Sequence, residues 1–150
     1  MALLREKLLN SGRMVLWVYG PAVSAEGKWE PENVEKVCGI PYGSPGVVRK
    51  DMGSWSSAYV FRPEETVTPE VMRELARSAG CHLWTSRPTP VFANSRFVAL
   101  HAVGTEPVTL ALPEKVKKAT ELYSGKTWEN VERIEMVPDG VSSWLWKLEK

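Results

Sequence analysis

Cysteine, histidine and aspartate are scarce in this 150-residue chain, with two of each. Cys38 and Cys81 are too few for a disulfide scaffold or a cysteine-rich zinc site. His82 and His101 have no Cys or Asp at a familiar ligand spacing, so no metal is expected. An excess of one charge is lacking as well: 19 Lys and Arg stand against 18 acids, a net +1. A chain drawn to nucleic acid or to an acidic membrane by bulk charge carries far more. No apolar run approaches the roughly 20 residues of a membrane span. Met1-Ala2-Leu3-Leu4-Arg5-Glu6-Lys7 places charges where a signal peptide keeps its apolar middle. Between Gly39 and Gly53 neither G-x-G-x-x-G nor the Walker pattern occurs, so no phosphate-bearing cofactor is indicated. These absences leave a cytoplasmic protein as the expectation, with no nucleic-acid or membrane partner.

What is present is ordinary for a folded chain: 43% apolar and 25% charged residues, in the length of one domain or two small ones. Leu4, Leu8 and Leu9 share one side of a short helix that Gly12 can end. Met14 to Tyr19 is a continuous apolar run, which suits a parallel strand covered on both faces. Pro31 to Cys38 predicts a second helix with Gly39 beyond its end. Thr68 can cap a third, on which Val71, Met72, Leu75, Ala76 and Ala79 form an apolar stripe before Gly80. Strand candidates Ser57–Arg62 and His82–Thr85 flank that helix, so the spacing predicts a right-handed βαβ unit. After Pro88 and Pro90 the pattern changes. Strands are expected at Phe97–Val103, Val108–Leu112, Ala119–Tyr123, Val131–Val137 and Ser143–Leu148, with turns between them, as in a small antiparallel sandwich.

Candidate reactive groups are few. Most of the sixteen glutamates sit beside Lys or Arg on apparent helix faces, the pattern of a solvated surface. Glu64-Glu65, between a strand end and a helix start, is the best-placed acidic pair, and a helix-dipole role suits it better than catalysis. Cys81-His82 invites a thiol nucleophile with its base, yet neighbours on a strand point to opposite faces. Cys38 falls on the inward side of its helix, and His101 reads as a hydrogen-bonded core residue. Seven tryptophans are many for this length. Trp29 and Trp55, in predicted loops, are the candidates for exposure and for stacking on a sugar.

Several stretches resemble the region that follows the catalytic barrel in β-galactosidase-like glycoside hydrolases. They are Leu3–Leu8 leading into Gly12–Pro21, Val37-Cys38-Gly39-Ile40, Leu75–Trp84, and Val91–Ala102. Leu112-Pro113, Leu122-Tyr123-Ser124-Gly125 and Trp144-Leu145-Trp146 fit as well. The resemblance implies a flavodoxin-like, glutamine-amidotransferase-like α/β three-layer domain over 1–88, reduced between Ile40 and Ser54, and an antiparallel β domain over 89–150. It also implies a non-catalytic role in subunit association, as a homo-oligomer (dimer or trimer) or with a glycosidase catalytic chain. The catalytic glutamates of such enzymes belong to a barrel of about 250 residues, so none carries over. Two alternatives stand beside this reading: a carbohydrate-binding module using Trp29 or Trp55, and a small hydrolase or amidotransferase-like thiol enzyme built on Cys81.

Overall fold

The computed structural model describes residues 6, 7, 9 and 12–150, and the chain divides into two compact units between Leu75 and Ala76. The helix expected over Leu4, Leu8 and Leu9 falls for the most part outside the described residues. In chain order the first unit carries β1 (Met14–Val18), the hairpin strands β2 (Ser24–Ala25) and β3 (Lys28–Trp29), helix α1 (Glu32–Cys38), β4 (Val47–Asp51), β5 (Ser56–Val60) and a short α2 (Pro63–Thr66). Helix α3 (Pro69–Ser78) spans the division. The second unit holds β6 (Val91–Ala93), β7 (Phe97–Gly104), β8 (Val108–Glu121), β9 (Thr127–Met136) and β10 (Gly140–Glu149).

Ser57, Ala58, Tyr59 and Val60 are all fully buried, so β5 is covered on both faces and shows no alternation. It is the middle strand of a three-stranded sheet ordered β1-β5-β4. β1 runs parallel to it, from Met14 opposite Ser56 to Val18 opposite Val60. β4 runs antiparallel on the other side, with Val47 opposite Val60. α1 supplies Val34 and Cys38 to a core with Ile40 and Tyr59, and Trp17, Val23, Tyr42, Val48 and Phe61 pack around it. Glu32 and Glu35 in its first turn and Lys36 in its last suit the helix dipole. At its end Gly39 takes φ +76° and returns its N–H to the Glu35 carbonyl at 2.8 Å.

The second unit is one five-stranded antiparallel sheet, ordered β6-β7-β10-β8-β9. Its core draws Val98, Leu100 and Ala102 from β7, Val108 to Ala119 from alternate parts of β8, Ile134 and Met136 from β9, and Trp146 and Leu148 from β10. The register of β8 against β9 shifts between Ala111 and Val116. This irregularity takes in Pro113, a residue that a strand tolerates at a bulge because no ladder N–H is required there. β8 therefore runs on past Leu112 to Glu121, and the strand expected at Ala119–Tyr123 falls largely within its second half.

These findings correct the fold class. The chain is mostly β, with 46% strand and 16% helix in three sheets, and no flavodoxin-like α/β sandwich is evident. Among the described residues the first unit has a single parallel pair with an antiparallel neighbour, too little for three layers. The second is a single sheet and not a two-sheet sandwich. The βαβ unit around α3 fails at its second strand. His82–Thr85 forms no strand. Thr85 instead makes an isolated antiparallel bridge to Leu110, with the Ala111 N–H bonded to the Trp84 carbonyl at 2.7 Å. Of the α3 stripe only Leu75 is buried, and Met72 is 44% exposed. Thr68 does cap the helix, its Oγ1 accepting from the Val71 N–H at 3.3 Å.

Candidate functional site

Parallel strands end side by side, so β1 and β5 release their next residues at one edge of the first sheet. Tyr19 follows β1 and Phe61-Arg62 follow β5. Because Val47 is opposite Val60, the loop Gly43-Ser44-Pro45-Gly46 arrives at the same place. The result is a cleft of about 320 Å³ lined by Gly43 to Gly46, Phe61, Arg62, Glu65 and Thr66. Arg62 donates from Nη1 to Glu65 Oε1 at 2.9 Å, and its guanidinium carbon lies 5.7 Å from the Phe61 ring centre. An aromatic series leads outward from Phe61. Tyr42 meets it edge to face at 4.9 Å, and Trp29 meets Tyr42 in the same way at 5.7 Å.

The backbone at this edge is constrained. Tyr19 adopts φ +60°, a conformation that bulky residues rarely take. It is held there by its N–H to the Val60 carbonyl and by the Tyr59 hydroxyl donating to its own carbonyl. The Glu64 carboxylate nearby raises the pKa of the exposed Tyr19 phenol, chiefly through its charge, with some burial and a hydrogen bond adding to the effect.

A second surface lies on the outer face of the five-stranded sheet. Alternation sends Val98, Leu100 and Ala102 inward, leaving Phe97, Ala99, His101 and Val103 outward. The register aligns Phe92 with Ala99, Ala99 with Leu145, His101 with Ser143 and Val103 with Val141. Phe92 is 74% exposed, Val141 70% and Val103 61%. Leu122, also exposed, extends the row by bonding its N–H to the Leu145 carbonyl. His101 lies outside the core on this face, hydrogen-bonded through Nδ1 to Ser143 Oγ at 2.8 Å. A crease of about 300 Å³ beside it is lined by Arg87, Pro88, Thr89, Pro90, His101 and Val103.

The residues singled out by sequence separate in space. Trp29 is exposed and joins the cleft's aromatic series, whereas Trp55 is 7% exposed and packs edge to face on Trp17. The expectation of an exposed Trp55 is therefore corrected: its ring sits in a loop whose interior face is core, leaving no free surface for a sugar. Cys38 is buried, donates to the Ile40 carbonyl at 3.3 Å, and has its thiol pKa pushed up mainly by burial. Cys81 is exposed, while the neighbouring His82 ring bonds the Ala111 carbonyl through Nε2 at 2.8 Å. Among the described residues no group of three or more His, Cys, Asp or Glu side chains can hold a metal ion, and no helix is long and apolar enough to cross a membrane.

Sequence reading singled out Glu65 with Glu64 as an acidic pair but missed its partner Arg62, and it missed Tyr42 and Phe61, which no local motif connects. It also missed Glu121, a buried carboxylate that ties down the turn after β8. Comparisons with protein-family models, with curated proteins and with solved structures find no match.

Proposed function

We propose that this chain is a non-catalytic accessory module, related to the region after the barrel in β-galactosidase-like glycoside hydrolases, which acts by self-association through the second unit. The observation that carries this reading is the open apolar face. Isolated exposed apolar residues are common on any protein and need no explanation. Here Phe92, Ala99, Leu145 and Leu122 form one apolar row across adjoining strands, and Val103 and Val141 lie on the same face beyond the His101–Ser143 pair. Contiguous apolar surface of this kind marks contact with another macromolecule. The two unpaired thiols, one of them exposed, suit a reducing cytoplasm. A glycosidase catalytic chain is the competing partner for the same face.

Light scattering over a wide concentration range tests the proposal. The wild-type chain is expected to grow from monomer to dimer or trimer, and Val141→Lys to remain monomeric, because a charge enters the apolar face while no core residue is altered. A wild-type chain that stays monomeric throughout, or a Val141→Lys variant that associates as before, contradicts it.

A further inference from the structure

We propose that the cleft at the end of β1 and β5 binds a neutral saccharide, with Arg62 and Glu65 engaging its hydroxyls and the Trp29–Tyr42–Phe61 series supplying the apolar platform. This inference concerns residues 19–66 and does not depend on association through the second unit.

The volume of the cleft, about 320 Å³, falls at the lower end of small-molecule sites. That is room for one or two sugar rings. The cleft also sits at the carboxyl end of β1 and β5, the one parallel pair among the described residues.

Charge decides between ligand classes. Arg62 by itself would attract an anion. Glu65 lies against it at 2.9 Å and Glu64 is the next residue along, so the local charge is not positive. A phosphate or carboxylate would meet these acids, whereas a cation would find a carboxylate already paired with Arg62. A neutral polyol suits the pair, because each hydroxyl can accept from the guanidinium and donate to the carboxylate. Both side chains are more than half exposed, so their groups are open to a ligand.

The aromatic series supplies the other half of sugar recognition. Sugar rings have C–H faces that pack on aromatic rings, and a tryptophan offers the largest such surface. Trp29 is 64% exposed on β3 and is braced by Tyr42, which is braced in turn by Phe61 at the cleft wall. An exposed indole braced in this way can bind without losing much side-chain freedom. Gly43 and Gly46 in the opposite wall have no atoms within 4 Å of where a Cβ would project, which leaves that side open.

The test is a titration of the full chain with cellobiose, maltose, lactose and, separately, inorganic phosphate, each to millimolar concentration and followed by ¹⁵N–¹H correlation spectra. Expected are saturable shifts for at least one disaccharide, confined to the amides of 42–46 and 61–66 and the Trp29 indole, with phosphate leaving them in place. Glu65→Ala and Trp29→Ala alter exposed side chains and are each expected to weaken binding at least tenfold while the remaining spectrum is preserved. Absence of saturable shifts with every disaccharide overturns the proposal. So does phosphate binding in their place, shifts centred elsewhere, or undiminished binding by both variants.

Discussion

Glu121 accepts four hydrogen bonds: Oε1 from the N–H groups of Tyr123 and Leu145, Oε2 from the N–H and the hydroxyl of Ser124. Burial alone would raise its pKa, but these bonds outweigh that penalty and hold it below the usual glutamate value. A carboxylate with a lowered folded pKa stabilises the fold fully above the unfolded value, near about 4.3, and that contribution is lost as pH falls through the folded value. Glu121→Gln is therefore expected to lower stability by about 1–3 kcal/mol at neutral pH. The variant should also lose less stability than wild type on acidification, both effects being read by urea unfolding. An unchanged neutral-pH stability would mean that the carboxylate does not secure the turn. The sequence shows Glu121 only as one glutamate among sixteen, because its partner Leu145 is remote in the chain.

Elements with complete local signals were readable in advance. α1 has its proline entry, inward Val34, Val37 and Cys38, and terminal Gly39, and it forms over Glu32–Cys38. β1, β7 and β10 also form where apolar runs predict them. Pairing direction was not readable. The segment after α3 could as well have joined β5, but it bridges to β8, a choice made by tertiary partners and not by its own residues. The cleft was hidden for the same reason: Tyr19, Tyr42 and Phe61 become neighbours only through the registers of β1, β4 and β5. Gly39 tests the readable part. A Cβ there would lie 2.7 Å from Met52 Sδ, on a backbone at φ +76°. Met52 is flexible enough to yield, so the left-handed backbone is the main cost. Gly39→Ala is expected to lose about 1–2 kcal/mol in thermal or urea unfolding. No loss would show that α1 can end in another way.

For the whole molecule, near-neutral charge removes long-range repulsion between copies, and each unit presents a distinct kind of surface: a polar cleft with Phe61 in its wall in the first and an open sheet face rich in apolar side chains in the second. Edges are treated differently from that face. β9, an edge strand of its sheet, carries Glu129, Glu132, Arg133 and Glu135, charges that discourage edge-to-edge pairing. β6, the opposite edge, is three residues long. The proposed association would therefore use the face and not the edges. The most direct measurement is methyl-resolved NMR of the full chain across a wide concentration range. If copies meet through this face, the Val103, Val141, Leu122 and Leu145 methyls shift or broaden as concentration rises, while those of core Leu110 and Ile134 hold still. Outer-face methyls that stay fixed at every concentration, or shifts gathered on the β9 edge, would contradict it.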